Sequence, residues 1–304
     1  MKDFGPRISR PYLPGTERQV GTEGNQFLFT RDLPLGIMPS RSLRGEGFRV
    51  QLEPADEEVS AQLISLLDIG QFSRHDLDEA IIEFVETVAR LIGYRGEALF
   101  ELIGGGTDQS PSLGSLPPLP VLRTLGGYYQ LIPKGARQQL ETGAAIRIPA
   151  EKIWRVRLPR RLGGVRGHRW MLRALGERSY PHPRFIFEGA DMGRSVGYDF
   201  AVHRRACEIE IERATRRWGT IPSRFRVEGT TEYFLFSRRL AFKHAQAELR
   251  EHILAELNRL LARLGFTHRV QVTGLRSAVE IDRALRQLQA GELTVAEAMD
   301  IEES

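Results

Sequence analysis

Apolar residues recur three or four positions apart in two stretches near the start of the chain, a spacing that puts them on one face of a helix. The first stretch predicts a helix from Glu57 to Leu67. The second predicts a helix that begins near Asp76, whose short carboxylate side chain is favoured at the N-cap position. The apolar positions of this second helix are Ile81, Phe84, Val85, Val88 and Leu91.

A block of short β-type segments follows these helices. The predicted strands are Glu97–Ile103, Tyr128–Ile132, Ala145–Ile148 and Ile153–Leu158. The stretch IGGGTDQSPSLGSLPPLP separates the first two strands, and its Gly, Pro and Ser content predicts a loop. A glycine run can cradle phosphate where it opens a helix, but this one leads into polar and proline-rich sequence. A hairpin connection is therefore the simpler interpretation.

Glycines follow the fourth strand: Gly163, Gly164 and Gly167 predict a turn, and a short helix is expected around Trp170. Residues 199–218 favour another helix, although the period-two alternation of CEIEIE leaves a strand open. Near the end of the chain, RVQVTGL predicts a strand and a turn. A last helix is expected at Val279–Leu288, before an acidic tail.

The stretch TEYFLFSRRLAFKHAQAELREHILAELNRLLARLG predicts one long helix, because its apolar positions keep returning to one face. Unbroken, such a helix would be about 50 Å long at about 1.5 Å per residue. EYFLF leaves a strand open, in which case Ser237 would cap a shorter helix. Two interpretations remain: a central helix of a compact domain, or a wall element shared between subunits of an oligomer.

Composition and charge narrow the possible functions. The chain has 304 residues, of which 41% are hydrophobic and 27% charged, values typical of a globular protein. No apolar stretch is long enough to predict a membrane span, and MKDFGPRISRPYLPG has no apolar region typical of a secretory signal. Cys207 is the single cysteine, which excludes an internal disulfide and a multi-cysteine zinc site. The net charge of +4 is a mild indication of a nucleic-acid partner.

Arginines concentrate in one segment, RVRLPRRLGGVRGHRWMLR, where Trp154 and Trp170 flank the glycine turn. Basic residues interleaved with aromatic ones can follow a phosphate backbone and stack on bases. The alternatives are a solvated face or contacts with acidic residues of another subunit. The candidate nucleic-acid-binding residues are Arg155, Arg157, Arg160, Arg161, Arg166 and Arg169.

Signals for catalysis or metal binding are weak. No HxH or HExxH pattern is present. Four residues follow one another at helical spacing: His244, Glu248, His252 and Glu256. A solvated helix face is a simpler interpretation of this series than a metal site. The carboxylates of the loop EGADMGRSVGYD are a possible divalent-ion site, but its glycines more simply mark a surface loop. We therefore expect no metal, no cofactor and no enzymatic activity. An enzyme that uses Glu188, Asp191 and Asp199 remains an alternative.

Several short motifs resemble the phage portal (head–tail connector) family. In that family a helix leads into a strand, and a later strand ends in a proline and a glycine turn. Similar features are found here in GYRGEALFELI, GGYYQLIP and IPAEKIWRVRLPRRLGGVRG. LQAGELTVAEAMD resembles a frequent ending of the family, and the long helix resembles its channel-lining or stem helices. The residues that carry the resemblance are Gly96, Glu101, Pro149, Ile153, Pro159, Gly163, Gly164, Gly291, Leu293, Thr294 and Glu297.

The resemblance implies a ring of identical subunits at a viral capsid vertex, through which DNA passes during packaging. Its partners would be DNA, the capsid protein, a terminase motor and head–tail adaptor proteins. The protein would be found in the virion, and in the host cytoplasm during assembly. The alternative is an arginine-rich nucleic-acid-binding protein that acts as a monomer or dimer.

These observations together predict an α+β, portal-like fold with a long amphipathic helix and a small mixed sheet. Four segments are expected along the chain. They are residues 1–55, an N-terminal arm or extended segment; residues 56–180, an α+β wing-like domain; residues 181–275, a stem and long-helix region; and residues 276–304, a C-terminal helix with an acidic tail.

Overall fold

The structure is a computed structural model. It describes residues 32–39, 47–68, 76–104, 111–116, 121–124, 127–132, 137, 143–178, 209, 212–219 and 231–298. The principal helices are α1 (Glu57–Leu67), α2 (Leu77–Arg95), α3 (Gly164–Arg178), α4 (Glu232–Arg263) and α5 (Ala278–Ala290). The strands are β1 (Arg49–Glu53), β2 (Glu97–Ile103), β3 (Ser112–Ser115), β4 (Val121–Thr124), β5 (Gly127–Leu131), β6 (Ala145–Ile148), β7 (Ile153–Arg157) and β8 (Arg269–Thr273).

The described strands form three small sheets, ordered β1–β8, β3–β2–β7 and β4–β5–β6. Every described strand pair is antiparallel, so the predicted mixed sheet is wrong. Parallel neighbours require a long crossover, whereas β2 to β3 and β4 to β5 follow one another after short connections. The result is a mixed α and β protein, compatible with the predicted α+β class.

The first two helices and the strand after them are confirmed. Asp56 and Asp76 act as N-caps: the carboxylate of Asp56 accepts a hydrogen bond from the Val59 amide at 3.0 Å, and that of Asp76 accepts one from the Asp78 amide at 3.0 Å. Gly96 ends α2 in the left-handed conformation, with φ 78°, and sends the chain into β2. Local sequence signals therefore determine both ends of this part of the fold.

Three strands were not predicted. β3 lies inside the stretch expected to be a loop, and β1 lies within the expected N-terminal arm. Their pairing partners explain them: β3 adds to β2 through Leu113 opposite Leu102, and β1 pairs with β8 along its whole length. β4 pairs with β5 to complete a hairpin. β1 itself alternates, with Val50 and Leu52 buried between exposed residues, but only over five positions; β3 and β4 have four residues each and depend on their partners.

The long helix is confirmed as α4, 32 residues capped at its start by Thr231, whose hydroxyl accepts a hydrogen bond from the Phe234 amide at 3.2 Å. EYFLF is therefore helical, and the alternative strand is wrong. The predicted apolar stripe is buried in the main core, but α4 has a second buried face that packs against α5. The stripe contains Ala245, Leu249, Ile253 and Leu257, and the second face contains Phe236, Leu240 and Ala247. In the described part of the chain, α4 is thus a central helix of its own protomer.

One hydrophobic core joins distant parts of the sequence. It includes Leu33, Phe84, Trp154 and Leu257, which come from three of the four predicted segments. The ring of Phe84 stacks on that of Trp154, with centroids 5.8 Å apart and planes 14° apart. The shared core does not test where the boundaries between the four predicted segments lie, so that division stays a prediction.

The described part of the N-terminal segment packs on α4. The side-chain amide of Gln246, itself buried, donates to the carbonyl oxygens of Asp32, Leu33 and Leu35 at 3.3, 3.0 and 2.8 Å. Leu33 and Ile37 enter the core beside it. Residues 32–38 are therefore held by this chain's own helix, while residues 1–31 lie outside the described ranges.

α4 also covers the outer edge of β7. His252 donates from Nε2 to the carbonyl oxygen of Arg157 at 2.8 Å, and Arg263 donates to that of Ile153 at 3.2 Å. An edge strand leaves such carbonyls without strand partners, so these side chains protect it. The histidine and glutamate series was expected to be a solvated face, but its four side chains are half-buried and His252 contacts the sheet.

Candidate nucleic-acid interface

The arginine-rich segment forms a bent connection between β7 and α3. The amide of Leu158 donates to the carbonyl oxygen of Gly96 at 2.9 Å, which ties the end of β7 to the start of β2. A 3₁₀ turn, Arg160–Leu162, follows, and Gly163 reverses the chain with φ 101°. Leu158 and Leu162 are buried, which leaves the arginines of the turn exposed.

The glycine turn is shorter than predicted. Gly163 and Gly164 have positive φ, but α3 already begins at Gly164, and Gly167 lies inside the helix. A Cβ atom built on Gly96 would lie 3.1 Å from Cα of Val165, so α3 approaches the end of α2 closely. The arginines on the turn and on the first turns of α3 are therefore carried by backbone that packs tightly on α2.

A buried histidine fixes α3 in this position. His168 is buried and donates from Nε2 to the carbonyl oxygen of Gly93 at 2.8 Å, and its ring meets that of Trp218 edge-on at 5.8 Å. Burial lowers the pKa of His168 from 6.5 to about 4, because the imidazolium ion would lose its hydration there. The imidazole is accordingly neutral at pH 7. Its partner lies 75 positions earlier in the chain, so no local pattern around His168 indicates it.

Two of the six candidate arginines have an internal partner. Arg155 donates from Nε to a carboxylate oxygen of Glu97 at 2.8 Å, and Arg169 donates to the other oxygen at 3.2 Å. The Glu97 side chain is only 11% exposed, so it lies beneath the two guanidinium groups. These arginines therefore connect β7, β2 and α3, and part of their charge is neutralised within the fold.

The other four candidates, Arg157, Arg160, Arg161 and Arg166, are exposed. Arg217, which lies outside the arginine-rich segment of the sequence, joins them: a Cβ atom built on Gly163 would lie 3.3 Å from its Nη1. None of these five guanidinium groups forms an ion pair with a carboxylate in the described part of the chain. We refer to Arg157, Arg160, Arg161, Arg166 and Arg217 as the arginine surface.

The two tryptophans that flank the turn have different environments. Trp154 is 5% exposed and stacked in the core, so it is not available for a ligand. Trp170 is 62% exposed on α3. Only the second of the two predicted aromatic contacts can therefore face a partner.

Other candidate chemistry is not assembled in the described ranges. Glu188, Asp191, Asp199 and Cys207 lie outside them. Among the residues that the structure does describe, no three His, Cys, Asp or Glu side chains gather where a metal ion could bind. No helix in the described ranges is both long and apolar enough to span a membrane.

Fold and site together define a mixed α and β protein with an exposed arginine surface beside a turn that packs on α2. Comparison of the chain with protein-family models, with curated proteins and with solved structures gives no match. The function is therefore inferred from the chemistry of the site.

Proposed function

We propose that the protein binds nucleic acid through the arginine surface. The observation that carries this proposal is that five exposed arginines, without described carboxylate partners, lie on or beside one turn. A guanidinium group is planar and always charged, and it matches two phosphate oxygens at once. A chain of phosphates is thus the ligand that fits this surface best.

The turn that carries these groups is held in place before any ligand arrives. His168 anchors α3 to α2, and Leu158 and Leu162 anchor the turn in the core. Glu97 holds two further arginines at the border of the surface. Because the backbone is already ordered, binding would mainly restrict the side chains, which lowers the entropic cost of association.

The proposal predicts strong dependence on salt. Each neutralised phosphate releases counterions, so contacts from all five arginines to duplex DNA would give a slope of about −4.5 for log K against log salt concentration. Removing two of them should reduce the magnitude of that slope by about 1.8.

The test is fluorescence anisotropy of labelled DNA over a range of salt concentrations. The variant Arg160→Ala/Arg161→Ala should bind more weakly and with the reduced slope. The control Arg283→Ala/Arg286→Ala removes the same charge from exposed positions of α5, which packs on α4. Equal losses in both variants, or an unchanged slope in the first, would contradict the proposal.

A portal-type ring subunit is the second candidate, and the order of elements favours it. α2 leads through Gly96 into β2, and β7 leads through Pro159 into the turn at Gly163, as the resemblance to the portal family implies. In such a ring the DNA contacts would belong to a passage at the capsid vertex. The capsid protein, a terminase and adaptor proteins would be the further partners, and the protein would reside in the virion.

The ring candidate requires contacts other than those first expected. Most of α4 is covered by its own protomer, so subunits would have to meet through other surfaces. Mass measurement in solution tests the candidate, because a ring weighs many times the 34.4 kDa of one chain. A 34.4 kDa species at high protein concentration, in both low and high salt, would exclude it.

A further inference from the structure

We infer that the arginine surface takes unpaired nucleotides and that the exposed indole of Trp170 stacks on one of their bases. This inference rests on the proposed nucleic-acid binding and specifies its ligand. The shared chemistry is a phosphate chain with accessible base faces, which single-stranded DNA and single-stranded RNA both provide.

Trp170 lies on the side of α3 that faces away from the core. The core side of this helix includes His168, Met171 and Leu172, all of which are buried. Trp170 is 62% exposed, whereas Trp154 and Trp218 are 5% and 1% exposed. Packing within the described fold thus uses the other two indoles and leaves this one open. A large apolar ring that is left in water is available for contact with a partner.

Trp170 also lies directly beside the arginine surface. Arg166 is four residues before it on α3, and residues four apart share one face of a helix, with Cβ atoms about 5–6 Å apart. Arg169 is held at the flank of this face by Glu97. A guanidinium group and an indole at this spacing can engage a phosphate and a neighbouring base of the same strand.

Duplex DNA does not offer this combination. Its bases are stacked and paired, so the grooves expose base edges rather than base faces. A single strand turns its base faces outward, and base–aromatic stacking contributes to affinity whatever the sequence. On the usual scale for alanine substitution, loss of one such contact weakens binding roughly 5- to 150-fold.

The experiment compares ligands that differ in their bases but not in their phosphates. Oligothymidylate, oligouridylate, an abasic deoxyribose strand of the same length and duplex DNA are titrated against the wild type, Trp170→Ala and Trp170→Phe. We expect the wild type to bind oligothymidylate at least about 5-fold more tightly than the abasic strand. Trp170→Ala should abolish that difference, and Trp170→Phe should retain part of it.

Tryptophan fluorescence provides a second readout. Trp154 and Trp218 are buried, so quenching by oligothymidylate should come from Trp170 and disappear in Trp170→Ala. Equal quenching by oligouridylate would support recognition of bases and phosphates without a contribution from the sugar. A response to only one of the two strands would support the inference as well, and would identify the sugar that the surface accepts.

The outcomes separate this inference from the proposed function. If the wild type binds the abasic strand as tightly as oligothymidylate, stacking is overturned, while loss of binding in Arg160→Ala/Arg161→Ala would still support the arginine surface. If no ligand binds the wild type, both proposals fall. If Trp170→Ala changes only the mass of the protein in solution, the indole serves self-association and the inference is overturned.

Discussion

Acidification tests the buried histidine that positions the arginine surface. His168 donates to the Gly93 carbonyl from a site without solvent, and burial lowers its pKa to about 4. That value already includes the hydrogen bond to Gly93, which raises the pKa, and the nearby charge of Arg169, which lowers it. The unfolded chain, in contrast, takes up this proton near pH 6.5.

The sign follows from the order of these values. Because the folded pKa is the lower one, the unfolded state binds more protons between the two values, and stability falls as the pH falls. The contribution is present above pH 6.5 and is lost as the pH approaches 4. The full contribution of this pKa difference to the free energy of unfolding is about 3 kcal/mol, of which about 2 kcal/mol should be lost between about pH 7 and about pH 5.

The assay is urea unfolding of the wild type and of His168→Gln at both pH values. Glutamine can still donate a hydrogen bond from Nε2 but does not titrate, so the other titrating groups cancel in the comparison. The wild type should lose about 2 kcal/mol more than the variant on acidification. Equal losses would refute the reasoning. An NMR titration that placed the pKa of the wild-type imidazole near 6.5 would refute it too, even if the variant did not fold.

Three further predictions concern packing and charge. Gly219→Ala should lower the free energy of unfolding in urea by about 3 kcal/mol, because φ is 74° and the new Cβ would lie 2.5 Å from the Arg238 carbonyl oxygen. The control Gly265→Ala has φ 90° but open space around the new Cβ, so it should lower the free energy of unfolding by only about 1 kcal/mol. Gln246→Ala should cost about 2 kcal/mol, because three backbone carbonyls lose their donor, and should expose residues 32–39 to limited proteolysis. Glu97→Gln should strengthen DNA binding measured by anisotropy, because two guanidinium groups lose their counter-charge.

Each of these predictions has a result that would contradict it. Equal destabilisation by the two glycine variants would mean that Gly219 does not pack against α4. An unchanged cleavage pattern in Gln246→Ala would remove its role in holding the N-terminal segment. Weaker or unchanged DNA binding in Glu97→Gln would mean that the neighbouring arginines do not share the ligand of the arginine surface.

The elements that the sequence predicted well are those with local causes. Asp56 and Asp76 cap their helices, Gly96 ends α2, and the strand at 97–103 has the predicted bounds. β3 was missed because its four residues depend on pairing with β2, whereas β1 alternates, with Val50 and Leu52 buried, but over only five positions. Long-range pairing leaves little trace in a short stretch of sequence.

Part of the resemblance to the portal family also has a local cause. Gly291 ends α5 in the left-handed conformation, and Thr294 and Glu297 form the reciprocal hydrogen bonds of a capping box, the Thr294 amide donating to Glu297 at 2.8 Å. Ser277 and Glu280 form the same device at the start of α5. A glycine that ends one helix, followed by a threonine and a glutamate that cap the next, is thus expected wherever one helix follows another closely. This ending supports the presence of the helices rather than a particular function.

The site shows why arginine counts alone cannot define an interface. Charge patterning selected Arg155 and Arg169 together with the exposed arginines, because nothing in that segment reveals that Glu97 lies beneath them. It missed Arg217, which the fold brings to the glycine turn from a separate stretch of chain. What distinguishes a binding surface from a structural ion network is the position of the carboxylates. For this reason Glu97→Gln is the most informative single charge change: it alters the partner of two arginines without touching the surface itself.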